Sequence, residues 1–295
     1  MLARRFMFVV LVAMMQLPVT NSVAGEITAH RFDSATLDRD YAYTIYLPDG
    51  YDDDDLHYPV LYLLHGSGGD ENTWAVNGRV HQTLDNLIDA GDIPPMVVVM
   101  PGSLSWWVDG HNENARTAFF DDLLPHIEQT WAVIAERKGR LVAGLSAGGY
   151  GAVNFSLERP DLFAAASALS PAVYVPLPPM NSSAHRVATY QGDDGQFDPD
   201  LWEKLNYTNY LEAYRQQDRV VPMYINSGDH DVFNIAYHGA VLFNTLLEHQ
   251  PGQVEFRVMD GDHEWHVWIK GLRDSLPFMA RYISRPIGRN PGTGE

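Results

Sequence analysis

The chain of 295 residues has no cysteine at all. Disulfides, thiolate zinc sites, iron–sulfur clusters and cysteine nucleophiles are thereby excluded. Basic residues are also scarce: 20 Lys and Arg stand against 38 Asp and Glu, for a formal net charge of −18. A surface of that sign repels phosphate backbones and anionic lipid, so nucleic acid is not an expected partner. The acidity reads first as a solubility device. Beyond the N-terminus no apolar run is long enough to span a bilayer, and even the stretch Phe6 to Val19 falls short of the roughly 20 residues required.

That first stretch has another reading. Arg4 and Arg5 precede it, and the small residues Ser22-Val23-Ala24 follow it just before Gly25. This is the layout of an export signal over residues 1–24, cleaved near Ala24. The expected mature chain is secreted or periplasmic, has no stable membrane insertion, and is more acidic by the two arginines lost.

Apolar runs recur through the rest of the chain. Ile27 to Phe32 and the alternating Tyr41 to Leu47 read as early antiparallel strands. Val60–Leu64, Met96–Met100, Leu141–Leu145, Ala164–Leu169, Val221–Asn226 and Val254–Met259 are continuous enough for strands covered on both faces. Helical spacing appears between them at Val80–Ala90, Thr117–Trp131, Ala147–Leu157, Leu201–Gln217, Ile235–Glu248 and His266–Tyr282. Alternation of this kind predicts a doubly wound α/β fold with a mostly parallel sheet and helices on both faces. One catalytic domain is expected over residues 25–284. Within it, residues 171–200 are rich in Pro, Ser, Asp and Gly and predict a surface insertion over the strand ends. Residues 285–295 predict a flexible tail.

Ligands of such sheets bind beyond the carboxyl ends of the strands, where the unusual residues of this chain fall. Gly144-Leu145-Ser146-Ala147-Gly148 follows one strand and opens a helix. A tight strand-to-helix turn exposes the serine hydroxyl, and flanking glycines remove side chains that would clash. A serine hydroxyl is a weak nucleophile and needs a base held by an acid. For the base, His263 and His266 follow the last strand. His263 is nearer the strand end and is preferred. For the acid, Asp229 and Asp231 fit the spacing equally. The string His263-Glu264-Trp265-His266 is not a zinc helix, since its histidines are three apart rather than four. No cofactor or metal is expected. His65-Gly66-Ser67-Gly68-Gly69 follows an earlier strand, and its glycines let backbone amides approach a substrate. It lacks the lysine of a phosphate-binding loop. One oxyanion donor is expected from the Ala147 N–H and another from this loop. Trp106 and Trp107, with His65, are expected to contribute to the substrate cleft, although at least one tryptophan of the pair is expected in the core.

Five segments together resemble the esterase D-like family of α/β hydrolases, which includes feruloyl and acetylxylan esterases, tributyrin esterases, S-formylglutathione hydrolases, enterochelin esterases and mycolyltransferases. They are Tyr58–Gly69, Ser105–Asp109, Gly144–Gly149, Gly228–Asp231 and Asp262–Trp268, in the family's order over nearly the whole mature chain. The resemblance implies the α/β-hydrolase fold. It puts the acid at Asp231, the base at His263 and the second oxyanion donor at the Ser67 N–H. Ala147 departs from the methionine that relatives often carry, which leaves the required N–H intact. The implied activity is hydrolysis of a small-molecule or carbohydrate-linked carboxylic ester through an acyl-enzyme, feruloyl-esterase-like or short-chain. Acyl transfer to a sugar alcohol and siderophore ester hydrolysis use the same triad. A non-catalytic binding protein would not need the full set of Ser, Asp and His.

Overall fold

The computed structural model describes residues 24–52 and 55–288. The expected export signal therefore lies outside the described residues apart from Ala24, as do residues 289–295 of the expected tail.

Strands β1 (Glu26–Ser34) and β2 (Arg39–Leu47) form an antiparallel hairpin in which Phe32 faces Tyr41. The remaining strands are β3 (Leu56–His57), β4 (Val60–Leu64), β5 (Val97–Pro101), β6 (Arg140–Leu145), β7 (Ala165–Leu169), β8 (Met223–Gly228), β9 (Val254–Met259) and β10 (Ile287–Gly288). Among the described residues the main sheet has eight strands in the order β1-β2-β5-β4-β6-β7-β8-β9. β2 runs antiparallel to β5. From β5 to β9 every neighbouring pair is parallel. The helices are α1 (Thr73–Val76), α2 (Val80–Asp89), α3 (Ala115–Thr117), α4 (Leu124–Thr130), α5 (Ala147–Glu158), α6 (Pro199–Leu205), α7 (Leu211–Arg215), α8 (Ile235–His249) and α9 (Trp265–Ala280).

The apolar strands are continuous because both faces of the sheet are covered. Successive side chains of a strand point to opposite faces. In β4, Val60, Tyr62 and Leu64 join a core cluster with Phe155 of α5 and Leu242 of α8. Leu61 and Leu63 join a second cluster with Leu84 of α2 and Leu272 of α9. Each such side chain contributes about 1.5–3 kcal/mol by leaving water. Helix α5 crosses the middle of the sheet, and its residues Ala147 to Leu157 are all buried. That is why its pattern is apolar and small on every side rather than striped.

Three segments differ from the sequence expectation. The single helix expected at Leu201–Gln217 is broken into α6 and α7. Asn206 is extended between them, accepting from the Tyr207 N–H and donating to the Tyr174 carbonyl. Residues 171–200 are not simply a surface insertion, because Ala172, Val173, Tyr174, Ala184 and Tyr190 are buried in the core. The tail is held in part, since Ile287–Gly288 pairs with Leu56–His57. No helix among the described residues is long and apolar enough to cross a membrane.

Candidate active site

β6 ends at Leu145 and α5 begins at Ala147, so one residue, Ser146, makes the whole turn. Its backbone has φ 54° and ψ −115°, a conformation that L residues rarely adopt. Crowding enforces the turn. A Cβ on Gly144 would lie 2.4 Å from the Gly148 backbone, and one on Gly148 would lie 2.4 Å from the Leu64 carbonyl oxygen. Both motif glycines are therefore required by backbone contact. Ser146 stands at the N-terminus of α5, where the first-turn amides have no acceptor within the helix.

Two loops bring the partners. The loop after β8 carries Asp231 and the loop after β9 carries His263. Ser146 Oγ lies 2.9 Å from His263 Nε2. His263 Nδ1 lies 2.7 Å from Asp231 Oδ2. With the Nδ1 proton on the carboxylate side, Nε2 is free to accept from the serine hydroxyl. The Asp231 side chain is 1% exposed and that of His263 13%, so water barely competes for this contact. Phe233 and Trp268 meet the imidazole edge-on at 4.9 and 5.1 Å and fix its plane.

Asp262 ties the two loops together. Its Oδ1 accepts from the N–H of His263 at 2.7 Å and of Val232 at 3.0 Å. These bonds hold its carboxyl below the usual carboxylate range. Close approach again depends on glycine: a Cβ on Gly228 would lie 2.3 Å from the Gly261 carbonyl oxygen. The sequence marked Asp262 only as part of a motif, because its role depends on Val232, 30 residues away.

The two unchosen candidates lie elsewhere. His266 is exposed on α9 and faces a different surface hollow, with Ile269 and Arg273. Asp229 is exposed, contacts His230 Nδ1 at 2.7 Å, and accepts from the Gly261 N–H. With Asp260 these two make the group of side chains, among the described residues, close enough to share a cation.

A cleft of about 340 Å³ opens over Ser146. Ser67 and its neighbouring glycines line one side. Phe233, Trp265 and Trp268 line the other, with Ser183 of the 171–200 segment, while Thr73 and Asn77 contribute from the two ends of α1. Ala147, 1% exposed, opens α5 directly behind the serine. The expectation for Trp106, Trp107 and His65 as cleft residues is corrected. They are 2%, 0% and 2% exposed and line no part of the cleft. Trp106 packs edge-on against Tyr150, Tyr190 and Trp202. Trp107 donates its indole N–H to the His65 carbonyl at 3.0 Å. The aromatic surface comes instead from Trp265 and Trp268, which lie within the Asp262–Trp268 segment, and from Phe233.

The comparisons agree with this architecture. A structure titled ferulic acid esterase matches 88% of this chain and 99% of its own, with 28% identity and a TM-score of 0.76. A ferulic acid esterase from Anaeromyces mucronatus, solved with ferulic acid, matches 92% of this chain and 96% of its own, with 16% identity and a TM-score of 0.70. The fold is thus that of the α/β hydrolases. An endo-1,4-beta-xylanase/feruloyl esterase of Xylanibacter ruminicola is 33% identical over 165 residues, 52% of this chain and 22% of the relative. Esterase Rv1288 of Mycobacterium tuberculosis is 34% identical over 152 residues, 48% of this chain and 31% of the relative. The alignments span less than a third of these curated relatives. Residues 34–279 match the family profile described as "Putative esterase", and the chain belongs to that family.

Proposed function

We propose that this chain is an exported serine carboxylesterase working through an acyl-enzyme. One observation carries the reading: the unbroken contact from Ser146 Oγ through His263 to the buried Asp231, at 2.9 and 2.7 Å. Ser146 attacks the ester carbonyl while His263 takes its proton. The carbonyl oxygen gains negative charge and is held by the Ser67 and Ala147 N–H groups. His263 then gives the proton to the departing alcohol. Water repeats the sequence on the acyl-enzyme, with His263 again as base. Asp231 holds the tautomer and stabilises the imidazolium. No step requires a metal or cofactor.

The substrate is read as an ester of an aromatic or short acyl group on a small alcohol or a carbohydrate. Trp265, Trp268 and Phe233 offer ring faces and edges beside the nucleophile. Relatives named as feruloyl esterases support the aromatic choice. Purified protein is expected to hydrolyse p-nitrophenyl acetate or butyrate, and, in a panel with acetyl-xylan, triacylglycerol and siderophore esters, to favour methyl ferulate. Ser146→Ala should abolish turnover on every substrate. Turnover unchanged in that variant would refute the reading.

A further inference from the structure

The cleft displays Ser67, but among the described residues no side chain lining the cleft hydrogen-bonds to it. The restraint lies behind it, in a buried polar chain that ends at the protein surface. His65 Nδ1 is 2.7 Å from the Gly66 carbonyl oxygen, which also accepts from the Gly69 N–H at 3.1 Å. His65 Nε2 accepts from the Ser103 N–H at 3.0 Å. A carbonyl oxygen only accepts and an amide only donates, so His65 is neutral with its proton on Nδ1. Burial pushes the imidazole pKa down, in the same sense. The Ser103 loop is held in turn by Glu113, whose Oε1 accepts from the Ser103 hydroxyl at 3.0 Å and the Leu104 N–H at 2.8 Å. Its Oε2 accepts from Arg39 at 2.7 Å, with the Glu113 side chain 7% exposed.

The geometry of the peptide unit gives this chain a purpose. The Gly66–Ser67 peptide is planar and trans, so its C=O and N–H point in opposite directions. Pinning the carbonyl back onto His65 turns the Ser67 N–H away from His65, and Ser67 itself lines the cleft. The arrangement leaves little slack. A Cβ on Gly69 would lie 2.9 Å from His65 Nδ1. The Trp107 indole fixes the His65 carbonyl, and Trp107 adopts φ 64° to reach it.

We propose that His65 and Glu113 are positioning residues that aim the Ser67 amide at the forming oxyanion. Neither touches substrate. His65 sets the rotation of the Gly66–Ser67 peptide, and Glu113 keeps the Ser103 N–H where His65 needs it. The inference rests on the acyl-enzyme reading above and deepens it.

Three variants test it: His65→Asn, His65→Gln and Glu113→Gln. The Asn amide retains a donor near Nδ1 and loses the Nε2 acceptor. The Gln amide reaches the far site and loses the near donor. Removing an oxyanion donor costs about 10²–10³ in kcat, which bounds the effect of misaiming one. On p-nitrophenyl butyrate we expect kcat to fall about 10²-fold in His65→Gln and about 10-fold or less in His65→Asn, with KM within about two-fold of wild type. Inhibition by butylboronic acid, whose adduct with Ser146 carries the tetrahedral oxyanion, should weaken in proportion to the loss in kcat/KM. Glu113→Gln, which keeps an acceptor for Ser103, should lose only a few-fold in kcat with the same proportion. Thermal unfolding identifies a variant that has failed to fold, and Glu113→Gln then reads the same chain from its other end. Equal losses in Asn and Gln, a change confined to KM, or kcat loss without matching loss of boronate affinity would overturn the proposal. A wild type inert towards all esters would instead count against the acyl-enzyme reading.

Discussion

Two tryptophan pairs flank the site and do opposite work. Trp106-Trp107 sits in the loop after β5, and both rings are sealed in the core. Trp265 and Trp268 lie in the first turn of α9 and line the cleft, Trp265 half-buried and Trp268 8% exposed. The difference follows from what each pair packs against. The loop after β5 lies over α5, where Gly151 leaves room for Trp107: a Cβ there would meet the Trp107 Cβ at 2.6 Å. The α9 pair packs against the rim, with Trp74 and Trp268 both edge-on to Trp265 at 5.4 and 5.2 Å. One side of the site is a buried scaffold behind Ser67 and Ala147. The other is a half-open wall, made by the start of α9 and the loops after β8 and β9, that presents side chains.

The sharpest break of this comparison lies on the open side. His263→Ala should lower kcat about 10⁴-fold or more, whereas His266→Ala should leave it within about two-fold, as measured on p-nitrophenyl butyrate. The reverse order would mean that the wrong histidine had been placed in the chain of contacts. Next come the tryptophans themselves. Trp106→Ala should cost about 3–5 kcal/mol of stability by leaving a core cavity, read by denaturant unfolding. In Trp265→Ala the stability loss should be smaller, while KM for methyl ferulate rises about 2–10-fold and KM for an acetyl ester hardly moves. A KM effect from Trp106 at unchanged stability would erase the distinction.

The smallest effect is in pH. His65 on the buried side has a folded pKa below its unfolded value of about 6.5. The unfolded chain therefore takes up its proton first as pH falls. The stability His65 contributes is complete above about pH 6.5 and is lost below it, towards the folded value. His238 and His126, both lowered by burial, act in the same direction. Asp262 and Asp229 on the open side are lowered carboxylates. Their contribution is present above about pH 3.9 and is lost only as pH falls further. The midpoint of thermal unfolding should drop between pH 8 and 5.5, and His65→Asn should reduce that drop. An unchanged drop would place the titrating groups elsewhere.

Much of the fold was legible because each buried strand carries its own run of apolar residues. Ser146 was legible for a similar reason: its restraints are the glycines beside it. The helix break at Asn206 was not, since the carbonyl that holds it belongs to Tyr174, 32 residues earlier. Spacing alone also left Asp229 and Asp231 equivalent. They differ in what the fold brings to them, the exposed His230 in one case and the half-buried His263 in the other. The expectation for Trp106-Trp107 failed for the same reason, because an aromatic dipeptide at a strand end looks alike whether a helix or solvent covers it.

The most direct test of the central claim is intact-protein mass spectrometry after treatment with a fluorophosphonate. Wild type should gain a single phosphonyl adduct, mapped by peptide analysis to Ser146, in step with loss of esterase activity. Ser146→Ala should gain none. Labelling of another residue together with inactivation, or full esterase activity after complete labelling of Ser146, would contradict the account.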